Sequence, residues 1–390
     1  MEPNAAAKLP FTGRGRPSEM VMRFTLAAGV SLAALASALG LAACSPDQPK
    51  APPRPAAASA PAPADPMLAK INGAVFTPPA APVAPSAPGA PAPAPVVNPP
   101  PDPVLIRAEV LLGRARFSPG VIDGKPGTNA RHALAAFQAS AGLAATGELD
   151  PATWAALTRD AGAVVIPYVV TTADVAGPYA PDVGEDFVKL AALPMGPLYT
   201  RPLEALAERF HMSQSLMTAL NPGADFGKAG TRLIVAAPGA APLAKGEVKA
   251  IEVSKANAQV TAFGADGAVL AVYPATVGST ERPSPSGVHK VNGVAFDTDY
   301  VYDPSKLNWG PRSHGKLHIK PGPNGPVGVV WIDLNAPSYG IHGTPDPDKI
   351  GKTASHGCVR LTNWDALTLA RGVAPGVKVT FVGSRARAKA

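Results

Sequence analysis

Cysteine is nearly absent: the 390 residues hold two, Cys44 and Cys358. Two thiols can form one bridge at most, which excludes a small fold stapled by several disulfides. Charge is sparse as well, at 16% Asp, Glu, Lys and Arg. Much of the chain is therefore buried, small and apolar, or linker. Aromatic residues make up 6%, and no basic run is interleaved with them, so the usual signature of a nucleic-acid binder is missing. A net charge of +7 nevertheless favours an acidic partner, such as an anionic polymer or a membrane surface. A histidine–acid zinc motif is also lacking. His314 and His318 lie four apart and could join His342, His356 and Cys358 around a metal, but Lys316 lies between the pair and proline and glycine follow. No metal and no cofactor is expected.

Proline and alanine are abundant instead. Of 47 prolines, 20 fall between Pro46 and Pro103, in a stretch without a periodic apolar face. Residues 44–103 thus read as a disordered tether, with a less biased island at 67–76 that could make a contact. Its fully extended limit is about 180 Å. Ahead of it, Arg14, Arg16 and Arg23 precede an apolar run over 24–43 that ends Leu41-Ala42-Ala43-Cys44. A basic start, an apolar run and small residues at its end describe a secretory signal over 1–43. The terminal four residues resemble the lipobox of bacterial lipoproteins, which implies a lipid on Cys44. A transmembrane helix that happens to hold a cysteine is the alternative.

The length suggests two or three domains. Residues 104–160 read as a small helical module. Asp123-Gly124 makes a turn, Asn129 caps a helix that runs to Ala141, and Asp150-Pro151 starts another. Phe117-Ser118-Pro119-Gly120-Val121-Ile122-Asp123-Gly124 and Ala135-Ala136-Phe137-Gln138 resemble the type 1 peptidoglycan-binding domain. Residues 185–238 read as a strand near Leu198-Tyr199, two helices with Ser213 capping the second, and a strand over 231–235. That order is similar to a degenerate LysM module, although Thr200-Arg201-Pro202 replaces the family's Gly-Asp-Thr. From 248 the apolar period becomes two, with a hairpin at Asp266-Gly267 and strands expected over Gly287–Phe296, 327–334 and 377–382. Thr362 and Asp365 form a capping box for one late helix. The polar, glycine- and proline-rich stretch 297–325 is a candidate lid. The fold class is multidomain, with a β-rich α+β domain over 248–383 behind two small modules.

Chemistry concentrates in Ala354-Ser355-His356-Gly357-Cys358-Val359-Arg360, preceded by Tyr339-Gly340-Ile341-His342-Gly343-Thr344. A thiolate is the nucleophile, and a neighbouring imidazole tunes it and moves protons. Gly357 keeps bulk away from the sulfur, so backbone N–H groups beside it could hold an oxyanion. The stretch resembles the signature of the L,D-transpeptidase (YkuD-type) catalytic domain, as do Pro283-Ser284-Pro285-Ser286-Gly287 and Pro321-Gly322-Pro323-Asn324-Gly325-Pro326 upstream. The resemblance implies a curved, barrel-like sheet with the cysteine loop at one rim. It implies that Cys358 is the nucleophile and His342 the acid/base, with the Gly343 carbonyl orienting the imidazole. His356 either lowers the thiol pKa or braces the loop, and Ser355 bonds loop backbone or that histidine. Arg360 is either a clamp for a substrate carboxylate or part of an internal salt bridge, and Tyr339 completes the candidate substrate surface.

The function this implies is transfer of a peptidoglycan tetrapeptide stem to an amine through a Cys thioester, with loss of D-Ala. The expected partners are peptidoglycan stems and glycan, and a membrane through a lipid anchor, but no nucleic acid. The expected location is the periplasm, and Ser45 after Cys44 points to the inner face of the outer membrane. Hydrolysis by a carboxypeptidase or amidase is the enzymatic alternative. A cell-wall tether that does not catalyse is the alternative of another class.

Overall fold

The computed structural model describes residues 65–78, 100–159, 161–305, 310, 312 and 314–384. The signal segment, Cys44 and most of the tether lie outside the described residues. Among those described, no helix is long and apolar enough to cross a membrane.

Four helices form the first module: α1 (Pro66–Asn72), α2 (Pro103–Arg114), α3 (Thr128–Ser140) and α4 (Pro151–Thr158). Asp102 and Asp150 cap α2 and α4 by accepting from Val104 N at 2.8 Å and Thr153 N at 2.7 Å, each ahead of a proline that has no N–H to satisfy. Gly127, not Asn129, precedes α3. Asn129 sits inside its first turn and donates from Nδ2 to Ile350 O at 2.9 Å, so a long-range bond has taken the side chain expected to cap. The tether needs a correction too. Its island is the helix α1, whose Ile71 is fully buried, and Asn72 Oδ1 accepts from Val164 N and Val165 N. Apolar burial and these bonds offset the entropy that the surrounding composition would otherwise keep.

The second module runs β1 (Val165–Val169), α5 (Thr172–Ala176), α6 (Phe187–Ala192), α7 (Pro202–Arg209), α8 (Gln214–Leu220) and β2 (Arg232–Ala236). Ser213 caps α8 as expected, accepting from Leu216 N at 3.1 Å. Leu198-Tyr199 is not a strand. The antiparallel partner of β2 is β1, twenty residues ahead of the expected boundary at 185. Pro167 lies within β1, which pairs only with β2, and proline is tolerated on such an edge. Residues 172–200, with α5 and α6, are thus an insertion. Both modules share one core, in which Ile106, Leu112, Leu206, Met212 and Val235 are all buried.

The third part is built on β3 (Ala250–Ser254), β4 (Gln259–Phe263), β5 (Val269–Pro274), β6 (Gly287–Phe296), β7 (Tyr300–Tyr302), β8 (Leu317–Ile319), β9 (Val330–Leu334), β10 (Gly340–His342), β11 (Val359–Arg360), α9 (Asn363–Gly372) and β12 (Lys378–Val382). Eight strands form one mixed sheet in the order β11-β10-β9-β6-β12-β3-β4-β5. Alternate residues of β3, β4 and β9 face the core, as the period of two requires. Residues just past β5 return to the far edge, where Thr276 and Arg360 exchange two backbone bonds at 2.9 Å and Gly278 bridges Ser355. The sheet is thereby curled into a near-closed barrel. The sheet is also joined to the first module: Phe117 bridges Val272, and Ser118 N donates to Val272 O at 2.9 Å. The capping box at α9 is half formed. Thr362 Oγ1 accepts from Asp365 N at 3.2 Å, while the Asp365 carboxylate accepts from Ser118 Oγ at 2.8 Å, across the module boundary.

Candidate active site

Register builds the site. Parallel β10 and β11 pair Ile341 with Val359 and His342 with Arg360. Ile341 and Val359 point into the core, at 0% and 1% exposure. Side chains alternate along a strand, so Cys358, His342 and Arg360 share the opposite face, with Cys358 beside Gly340. Gly340 cannot carry a side chain there, because a Cβ would lie 2.5 Å from the Trp331 ring. Trp331 stacks on His342 with centroids 5.4 Å apart, closing one side of the site.

His342 is buried, and its Nδ1 lies 2.7 Å from Gly343 O. A carbonyl only accepts, so Nδ1 carries the proton and Nε2 is left with a free lone pair. Burial drives the imidazole pKa down to about 3, aided by the Arg360 cation and opposed by the Gly343 bond. Cys358 is half-buried, and its thiol faces Ser338 O at 3.6 Å. Burial pushes this thiol up, while the Gly340 N–H and the Arg360 charge favour the thiolate.

The loop carrying Cys358 is pinned on both sides. Ser355 Oγ accepts from Gly357 N at 3.1 Å and donates to Cys358 O at 2.5 Å, so it binds loop backbone and not a histidine. Ser284 Oγ accepts from Gly278 N at 2.9 Å and donates to Gly357 O at 2.7 Å. Gly357 adopts φ +123°, and a Cβ on it would lie 2.7 Å from the Tyr339 ring. That ring is the floor of the loop. Because Ser355 engages the Gly357 N–H, this donor serves the loop, and an oxyanion must rely on other N–H groups.

Arg360 has no carboxylate within ion-pair distance among the described residues, which removes the internal salt bridge and leaves its charge to the site. His356 is exposed, with its pKa lowered by burial and by Arg282 and Arg360, while Glu185 of the inserted segment opposes them. The stretch 297–325 contains the hairpin β7–β8, held from the side by α6. Phe187 packs on Tyr302 and Tyr300 at 4.9 and 5.9 Å, and Tyr300 is close enough to Cys358 for a thiolate there to raise its pKa. Among the described residues, no three His, Cys, Asp or Glu side chains converge in a way that could hold a metal. Sequence reasoning missed Trp331, Tyr300 and the latch role of Ser284. For Trp331 the alternation of β9 was the available signal, since Val330, Ile332 and Leu334 take the core face and leave Trp331 on the other.

The site is thus a curled mixed sheet with a cysteine on a rim loop and a buried imidazole on the adjoining strand. Residues 248–381 match the YkuD family, the L,D-transpeptidase catalytic domain, and residues 105–157 match the family described as "Putative peptidoglycan binding domain". The chain thus carries an L,D-transpeptidase catalytic domain behind a peptidoglycan-binding-type module. It is 45% identical over 65 residues to "Putative L,D-transpeptidase YkuD" of Bacillus licheniformis, covering 17% of this chain and 39% of that protein. It is 29% identical over 188 residues to "Probable L,D-transpeptidase ErfK/SrfK" of Escherichia coli, covering 47% of this chain and 60% of that one. The chain therefore spans less than two thirds of either relative. Among solved structures, L,D-transpeptidase 3 from Mycobacterium tuberculosis is 19% identical with a TM-score of 0.29, covering 40% of this chain and 66% of that one.

Proposed function

We propose that this chain is a peptidoglycan L,D-transpeptidase. The observation that carries the reading is the shared face of β10 and β11, which sets Cys358, the Nδ1-protonated His342 and the Arg360 cation together. His342 Nε2 takes the Cys358 proton, and the thiolate attacks the carbonyl of the third residue of a tetrapeptide stem. The tetrahedral oxyanion is held by backbone N–H groups of the cysteine loop. His342 then protonates the departing amine of D-Ala, leaving a thioester on Cys358. An amine from a second stem or a protein attacks the thioester, His342 receives its proton, and the new amide leaves. Arg360 binds the carboxylate of the stem. No nucleotide is consumed, because the thioester conserves the acyl group for transfer.

Incubation of the purified protein with disaccharide-tetrapeptide, followed by mass spectrometry, tests this. A crosslinked dimer that has lost one D-Ala is the expected product. A tripeptide with no dimer would assign hydrolysis instead, and unchanged substrate would reject both. We also propose that Cys44 carries a lipid that anchors the protein on the periplasmic side, at the inner face of the outer membrane. Cys44→Ala should then appear in the soluble fraction, and a variant that stays membrane-bound would favour a transmembrane segment.

A further inference from the structure

Asn363 opens α9 with every polar side-chain atom engaged. Its Oδ1 accepts from Thr344 N at 3.1 Å and Val329 N at 3.3 Å. Its Nδ2 donates to Glu208 Oε1 at 2.7 Å and Pro323 O at 3.1 Å. The amide is seated so closely that a Cβ on Gly343 or Gly328 would fall 2.1 or 2.0 Å from Oδ1. This braced turn contains the Gly343 carbonyl that accepts from His342 Nδ1. Glu208 belongs to α7 of the second module and is 9% exposed. Burial lifts its carboxyl to about 7, against bonds from Asn363 and Tyr199 that favour the anion. A buried carboxyl at a module boundary is costly beside an apolar residue of similar size. Packing alone does not explain it.

We infer that Glu208 is a positioning residue for His342: it fixes the Asn363 amide, which fixes the Gly343–Thr344 turn, which fixes the tautomer and angle of the imidazole. The accessory module thus sets the geometry of the catalytic base from outside the catalytic domain. This rests on the transpeptidase reading for its kinetic consequence, but not for its structural one.

Glu208→Leu keeps the volume and removes the acceptor, while Glu208→Gln keeps an oxygen that Asn363 Nδ2 can bond. Both would be compared with the full-length parent by three readouts: melting temperature, the rate of carbapenem adduct formation on Cys358, and the downfield ¹H–¹⁵N resonance of His342 Nδ1–H. Glu208→Leu should melt somewhat lower, because Asn363 and Tyr199 lose an acceptor, and should acylate roughly 10–100-fold more slowly and lose or shift the resonance, as expected for a misplaced catalytic group. Glu208→Gln should restore the resonance and most of the rate. A folded Glu208→Leu with parental rate and resonance would overturn the inference, as would equal losses in both variants. If Glu208→Leu fails to fold, the Gln variant decides: a parental resonance supports the inference, and a lost one overturns it. A parent that forms no adduct would instead reject the transpeptidase reading and leave the resonance to judge the positioning role.

Discussion

Burial acts on Cys358 and His342 toward the same end, raising the thiol and lowering the imidazole, so that both rest neutral. Arg360 is the cation that favours the thiolate against this burial. Alkylation of Cys358 by iodoacetamide should therefore rise with pH along a thiolate limb, and Arg360→Ala should move that limb to higher pH, because the anion loses its cation. An unmoved limb would place Arg360 away from the sulfur. With its pKa near 3, His342 stays neutral through the ordinary histidine range. His342→Ala should cut acylation by ~10²–10⁴-fold, and His356→Ala by far less, since His356 is exposed at the loop surface; the reverse order would exchange their roles. The sequence singles out the Cys358 loop by local order, a cysteine preceded by His-Gly, whereas the role expected of His342 came from the family resemblance. The latch role of Ser284 and the brace of Asn363 were not legible there, since loop closure, not sequence proximity, brings them to the site, and Trp331 was signalled only by the alternation of β9.

Among the elements, β3, β4 and β9 follow the expected period of two, while the strand expected at Leu198-Tyr199 is absent. Asp266-Gly267 joins β4 to β5 as expected, with Gly267 at φ +79°. Side chains expected to cap were less faithful where a tertiary partner outbid the local one: Asn129 reaches Ile350, and the Asp365 carboxylate reaches Ser118. The hairpin β7–β8 shows what the lid expectation lacked, namely its support. Nothing in 297–325 announces that α6, more than a hundred residues earlier, holds it through Phe187. Phe187→Ala should speed amide hydrogen exchange across Tyr300–Tyr302 and leave the distant strands β3 and β4 protected as before. Unchanged exchange in the hairpin would mean that α6 does not support it.

Among the described residues, the modules expected from the sequence are fused through shared contacts. Ser118, Val272, Glu208 and Asn363 join them by bonds between residues far apart in the chain, which no local pattern encodes. Asp365 is buried at this boundary, and its pKa is raised to about 7. A carboxyl raised by folding gives stability that is complete below its unfolded pKa near 4 and is lost as pH rises through 7. His211, depressed to about 4 beside the same boundary, acts in the opposite sense, losing its contribution as pH falls below about 6.5. Comparing the parent with Asp365→Asn cancels that term. The parent should lose stability relative to the variant from pH 5 to 7, by at most about 1.4 kcal/mol per pH unit, and the difference should level off above. A constant difference would mean that Asp365 titrates normally. Acyl transfer through Cys358 can be read from intact-mass analysis after incubation with a carbapenem. One adduct is expected on the parent and none on a Cys358→Ser variant of unchanged melting temperature. An adduct of the same mass on that variant would contradict it.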